Sequence, residues 1–346
     1  MRSLKTSSIA LLSLAFATAA CTAGTEADID DGDDNGGGGG DVDPQPVPLT
    51  PEGKFAITST FDLATNAPGA VGRVANVIID MTDSPDDPTR YIVERLAAQL
   101  PNGSVKDAVN GAIPFVAGYL NDRLLEVAPS FVGKAVEVGN KLGQVTKNFG
   151  LLETFEVDAA GVAKRTVTGL HFTIDNVDLD FAFADYGIRE TVVDGIRVSL
   201  AKTGRLTFDQ HTVPLRYGQI MKLAIDQAII PMIDPSASNL GDLLKSAVNC
   251  QAVGKYVFEA IGFGSAGTFQ SACTAGLAAG ANLLYAQLNN IDGSALEFGV
   301  TGEARGIDKN KDGKMDIIAT GTWAGTLGYA GTPATLGDAK FFGASM

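Results

Sequence analysis

The sequence predicts an α+β fold: an antiparallel meander sheet packed with two blocks of amphipathic helices and ending in a C-terminal β-hairpin. Period-two alternation of apolar and polar residues marks strands at 54–63, in four segments between 151 and 208, and again beyond 295. Apolar residues spaced by three and four mark helices in two blocks, about 89–147 and 217–290. Strands and helices in separate runs indicate α+β, because a parallel α/β sheet would alternate them. The chain has 346 residues, 45% of them hydrophobic, enough for a large core. No internal repeat of 20–50 residues shows.

The chain opens with a positive start, Arg2 and Lys5, then an apolar run at 9–17 and Thr18-Ala19-Ala20-Cys21. The run is too short to span a bilayer and reads as a signal peptide, residues 1–20. Small residues ending in cysteine resemble the lipobox of bacterial lipoproteins, with Thr18 where Leu is usual. That resemblance implies cleavage before Cys21, acylation of Cys21 and anchoring to a membrane of the cell envelope, the outer membrane being the expected one. Multiple acyl chains give stable anchoring. Residues 21–53 form an acidic, Gly-rich linker: Asp28, Asp30, Asp31, Asp33 and Asp34 run into Gly36–Gly40 and three prolines. Such a composition buries no core. About 30 residues of this kind span roughly 30 Å and hold the remaining domain, 54–346, away from the anchor.

Phe55, Ile57, Ser59 and Phe61 share one face of the first strand, against Ala56, Thr58, Thr60 and Asp62. The run 83–88, Asp-Ser-Pro-Asp-Asp-Pro, is a loop and helix-start signal for a short helix at 89–100. A longer helix is expected at 104–127, kinked by Pro114. Pro129 fits the first turn of the next helix, whose stripe is Phe131, Ala135, Val138, Leu142 and Val145. Strands follow at 151–157, 162–172, 175–183 and 195–208. In the third, Asp178 and Asp180 oppose Val177, Leu179 and Phe181, as in a sheet with one wet face. The second helical block is rich in Ala and Gly at 272–288, which lets helix backbones approach closely. Gly262-Phe-Gly-Ser-Ala-Gly267 reads as an interhelical turn. Strands at 295–305 and 315–329 then flank a short acidic loop.

Cys250 and Cys273 are an even pair in a chain expected to be exported, so a disulfide is expected between two helices. It closes a loop of about 24 residues, worth roughly 3 kcal/mol in the chain-entropy description. Two buried thiols are the alternative.

Asp308, Asn310, Asp312, Lys314 and Asp316 resemble the calcium loop of EF-hands. Oxygen donors fall at positions one, three, five and nine, Gly313 takes the sharp-turn position six, and Lys314 offers its carbonyl at position seven. Position twelve is Ala319, where an EF-hand carries Glu, and the flanks read as strands. The resemblance implies a structural calcium ion bound weakly, at ~10⁻⁴–10⁻³ M. A plain acidic turn is the alternative.

Net charge is −14, and removal of Arg2 and Lys5 with the signal takes it to −16, so nucleic acid is not an expected partner. The two histidines, His171 and His211, read as surface or packing residues. Neither a Gly-x-Ser-x-Gly elbow nor a P-loop occurs. Asp178 and Asp180, about 7 Å apart on one strand face, could serve acid–base work or simply keep that face wet. The element order over residues 55–290 is weakly similar to tubular lipid-binding domains of the BPI-like (TULIP) kind, which implies a hydrophobic or lipid ligand. The expected function is therefore that of a non-enzymatic, membrane-anchored lipoprotein able to hold such a ligand. An exported Asp-dependent hydrolase and a calcium-stiffened adhesion or assembly subunit are the alternatives.

Overall fold

A computed structural model describes residues 49–65, 68 and 88–346. The expected signal peptide, Cys21, most of the expected linker and residues 83–87 of the expected 83–88 loop lie outside the described residues. Residues from Pro46 onwards belong to one compact unit.

The sheet strands are β1 (Gly53–Phe61), β2 (Phe149–Val157), β3 (Val162–Ile174), β4 (Val177–Ala182), β5 (Thr191–Leu200), β6 (Arg205–Leu215), β7 (Leu296–Ile307), β8 (Ile317–Tyr329), β9 (Thr332–Thr335) and β10 (Ala339–Ser345). All strand pairs are antiparallel, but the sheet is not the open meander that the sequence predicts. It closes into a barrel. Strand β10 pairs with β1, Phe55 opposite Ser345 through Phe61 opposite Ala339. On its other edge it pairs with β8, Lys340 opposite Thr322. The barrel order is β1-β2-β3-β5-β6-β7-β8-β10, with β4 attached to β3 and β9 to β8. The expected C-terminal hairpin is thus part of a longer run of strands. β10 escapes a periodicity reading because its inward positions, Ala339, Phe341 and Gly343, are mostly small, and a weak apolar signal is enough when both edges are paired.

A second difference lies at 195–208, expected as one strand. Val198 pairs with Phe208 across a tight turn, which makes two strands. Gly204 adopts φ +81°, the left-handed conformation that glycine takes without steric cost.

Helices enter between β1 and β2 and between β6 and β7. The first group is α1 (Pro88–Gln99), α2 (Ser104–Asn121), α3 (Leu124–Val127) and α4 (Phe131–Lys147). The helix expected at 104–127 breaks at Asp122 and Arg123, while Pro114 stays inside α2. Asn110, whose carbonyl loses its partner at Pro114, is exposed, so water can satisfy that carbonyl. The second group is α5 (Tyr217–Leu223), a π-helical stretch (Ala224–Ile229), α6 (Ile230–Ile233), α7 (Leu240–Ala247), α8 (Cys250–Ile261) and α9 (Ala266–Ile291). Side chains of Asn239, Asn249 and Ser265 cap α7, α8 and α9 by accepting from the amides of Asp242, Ala252 and Thr268. Among the described residues no helix is long and apolar enough to cross a membrane.

Helix α9 is the axis of the helical block and packs on α1, α5, α7 and α8. Its small residues allow this: a methyl group on Gly276 would stand 2.7 Å from the Arg95 carbonyl oxygen of α1. The expected disulfide is formed, Cys250 to Cys273, with Cα atoms 5.6 Å apart, and it ties the start of α8 to α9. Phe61, Phe149, Phe298 and Tyr217 carry the barrel core into the helices, with ring centroids 4.8 Å apart for Phe61–Phe298 and 6.2 Å for Phe149–Tyr217.

Candidate functional site

An eight-stranded barrel is just wide enough for its side chains to fill it, and here they do. Phe55, Phe155, Phe208, Trp323 and Phe341 occupy the interior. Among them lies a buried polar network. Arg165 on β3 donates from Nε (2.9 Å) and Nη2 (2.5 Å) to Glu153 Oε1 on β2. Ser59 on β1 donates to Glu153 Oε2 at 2.6 Å and accepts from the Trp323 indole at 3.0 Å. Arg165 Nη1 reaches His211 Nε2 on β6 at 2.7 Å, and His211 Nδ1 lies 2.8 Å from the Asp209 carbonyl. A carbonyl only accepts and a guanidinium only donates, so Nδ1 carries the proton and the ring is neutral. Burial, and then the Arg165 charge, push the His211 pKa down to about 4. The guanidinium also lies 4.6 Å from the Trp323 ring centroid. Gly302 faces Trp323 across the β7–β8 ladder, where a Cβ would come within 2.4 Å of the indole.

Every polar group of this network is satisfied from within, and Glu153 and Arg165 side chains have no exposure. Such an arrangement sets register and packing between strands and offers no atom to a ligand. Its signal in the sequence is opposite charges at inward-facing positions of successive strands: Glu153 between Leu151 and Phe155, Arg165 between Ala163 and Val167.

An apolar cleft opens in the helical block instead. Phe131, Val138 and Leu142 of α4 face Leu243, Leu244 and Ala247 of α7, with Ile225 of the π-helical stretch and Leu284 of α9 completing the wall. Its volume is about 50 Å³, a third of the ~150 Å³ that encloses a benzene. Lys134 stands at this cleft, 2.7 Å from Asp234 and 2.8 Å from Ser246 Oγ. Lys134, with Ser236 and Ser246, holds the Asp234 carboxyl well below the usual carboxylate range. Close to the same wall, the nearly buried Asp226 accepts from Lys222 at 2.6 Å and from the Tyr285 hydroxyl. That hydroxyl also accepts from the Leu240 amide at 3.0 Å. Burial and then Asp226 raise the Tyr285 pKa. π-Helical turns often accompany functional positions, and this one aims Asp226 between α7 and α9.

No protein-family model matches the chain, and no curated protein or solved structure is significantly similar to it. The site therefore has to be read from its own geometry.

Residues 308–316 form the connection between β7 and β8, so strands flank the loop, as the sequence indicates. Gly313 takes φ +85° and Lys311 φ +61°. The acidic side chains fold onto the loop's own amides. Asp308 accepts from Lys311 and Gly313 (2.6 and 2.8 Å), Asp312 from Lys314 (2.8 Å), and Asp316 from Lys309 (2.8 Å). Asn310 Oδ1 accepts from the Asp312 amide at 3.0 Å. Asp308 Oδ1 and Oδ2 each accept one such bond, and Asp316 Oδ2 accepts a second, from the Asn310 amide at 3.3 Å. Among the described residues no group of three His, Cys, Asp or Glu stands close enough to hold a metal ion. Thr50 pins the loop by donating from its amide to the Gly313 carbonyl at 2.9 Å.

Asp178 and Asp180 are each hydrogen-bonded to a side chain on β3. Thr173 Oγ1 donates to Asp178 at 2.7 Å, and His171 Nδ1 meets Asp180 at 2.7 Å.

Proposed function

We propose that this protein is a non-enzymatic lipoprotein of the bacterial cell envelope, tethered through Cys21, whose helical block receives the aliphatic end of an amphiphilic ligand. The observation that carries the reading is the cleft between α4, α7 and α9. Its wall is aliphatic and aromatic, and Lys134, the charged residue among the described lining, stands beside its partner Asp234 where the head group of an anionic amphiphile would lie. At about 50 Å³ it admits a chain terminus, with the rest of the ligand left at the surface. The barrel interior is occupied by aromatic side chains and the Glu153–Arg165 network, which directs the reading to the helical block. Loop 308–316 would carry a structural calcium ion through Asp308, Asn310, Asp312, the Lys314 carbonyl and Asp316. Its role would be to stiffen the β7–β8 connection.

Mass spectrometry of the native protein should find the chain beginning at an acylated Cys21. Fluorescence displacement with saturated fatty acids from octanoate to palmitate should show binding that Ala247→Val, which adds two methyl groups to the cleft wall, weakens while the unfolding temperature is kept. A wild-type chain that binds none of the series overturns the ligand reading. A calcium titration that leaves the unfolding temperature unchanged up to about 10 mM, well above the expected constant, removes the ion from the proposal.

A further inference from the structure

On the outer surface of the barrel a row of paired residues crosses four strands. Thr60 of β1 lies opposite Gly150 of β2, Gly150 opposite His171 of β3, and His171 opposite Asp180 of β4. Gly150 is buried, and a Cβ there would stand 2.0 Å from the His171 carbonyl oxygen, so the glycine serves close pairing of β2 with β3 beneath the surface between Thr60 and His171. The C-terminal end of α4, with Gln144 and Asn148, and the β3–β4 turn, with Asp175 and Asn176, wall this surface into a cleft of about 640 Å³. That is the size range of small-molecule sites.

The walls are held rigidly. Gln144 Nε2 donates to Asp175 Oδ1 at 3.0 Å, and Gln144 Oε1 accepts from the Asp175 amide at 2.9 Å. The nearly buried Lys141 ammonium also binds Asp175. Asp175 and Asn176 are both left-handed, with φ of +51° and +64°, and these bonds to α4 fix that turn. Asp180 only accepts, so His171 Nδ1 carries the shared proton and Nε2 is left, 3.9 Å from Asp178 and beyond hydrogen-bond range.

The lining selects a chemistry. Among the described residues of the lining, Thr60, Gln144, Asn148, His171, Thr173 and Asn176 supply hydroxyl, amide and imidazole groups, and Asp175 is the only charged one. An aliphatic chain would find no apolar wall. An anion would meet Asp175, with no Lys or Arg among the described residues of the lining. A cation would compete with partners already in place, since Asp175, Asp178 and Asp180 hold Lys141, Thr173 and His171. We infer that this cleft is a second binding site, separate from the apolar one, for a neutral polyhydroxylated ligand of saccharide type. Both Gln144 amide atoms and the Thr173 hydroxyl proton are already engaged, so Thr60, Asn148, His171 Nε2 and Asn176 are the groups offered to vicinal hydroxyls, and with no stacking aromatic among the described residues of the lining the affinity should be near 1 mM, about 4 kcal/mol.

The test is an amide NMR titration of the whole folded chain with glucose, N-acetylglucosamine and maltose, with phosphate and spermidine as anionic and cationic probes. At least one saccharide should shift the amides of Gly150, His171 and Asp175 at millimolar concentration. Asn148→Ala and His171→Ala should each weaken it about tenfold without lowering the unfolding temperature. Asn148 sits at an exposed helix end, so its variant decides the matter if His171→Ala does not fold. The inference is overturned if no saccharide moves these amides up to about 50 mM, far above the expected constant. It is equally overturned if Asn148→Ala binds as tightly as wild type, or if only phosphate or spermidine acts there.

Discussion

Arg165→Met removes the centre of the barrel's polar network while keeping most of the side-chain volume. Three hydrogen bonds go with the guanidinium: two to Glu153 Oε1 and one to His211 Nε2. Glu153 is then a fully buried carboxylate whose remaining side-chain donor is Ser59. Breaking one side of a buried pair costs about 3–5 kcal/mol, because the abandoned charge has lost both water and partner. Domains of this kind have roughly 5–15 kcal/mol in hand, so the variant should fold with a much lower midpoint. Urea unfolding followed by Trp323 fluorescence suits the question, since this single tryptophan is part of the network. Glu153→Leu combined with Arg165→Met removes both charges and leaves the Ser59–Trp323 bond intact. That double variant should recover at least about 2 kcal/mol of the loss, as apolar replacements of buried pairs do. A loss below about 1 kcal/mol for the single variant, well under the range for a broken buried pair, would refute the reasoning. So would a double variant no more stable than the single one.

His211 has a folded pKa of about 4 against an ordinary value of 6.5. Below 6.5 the unfolded chain therefore binds a proton that the folded one refuses, and stability falls with pH until about 4. Between about pH 7.5 and 5 the loss should be about 2 kcal/mol. Asp62, Asp175 and Asp234, all lowered from 3.8, stay largely ionised in both states over that window. His211→Gln should flatten the slope, and an unchanged urea-midpoint profile counts against the assignment. Gly276→Ala should destabilise by about 1–3 kcal/mol through contact with the α1 backbone, although alanine favours helix. Gly267→Ala on the same helix meets nothing within 4 Å and should stabilise by up to about 1 kcal/mol. Calorimetry that ranks the two in the opposite order excludes close packing as the reason for Gly276. Replacing both Cys250 and Cys273 by Ser should cost about 2–5 kcal/mol, read from the shift of the urea midpoint.

For most elements with one buried face the local pattern was sufficient to place them, β10 with its small inward residues being an exception. The stripe Phe131, Val138, Leu142 and Val145 gave α4, and the alternation of β1 gave even the inward position of Ser59. The pairing of Cys250 with Cys273 followed from their being the two cysteines outside the signal. The strands around residues 308–316 were equally legible, because Leu296 to Ile307 and Ile317 to Tyr329 both alternate. The helix break at Asp122 and the turn at Gly204 were not, since a continuing apolar period hid both.

Period-two alternation says which face of a strand is dry, but it is the same for an open sheet and a barrel. Closure depends on which edges meet, and only β10, pairing on both sides at once, decides that. The same holds for the sites. Arg165, Glu153, His211, Ser59 and Trp323 come from five strands spread over more than half the chain, and Thr60, Gln144, His171 and Asp175 from a strand, a helix, a strand and a turn. The sequence alone determined most of the elements, the disulfide and the acidic loop, because those follow from short-range periodicity and residue chemistry. The tertiary structure decided the barrel, its internal ion pair and both clefts, because contacts between distant segments leave no local period to read.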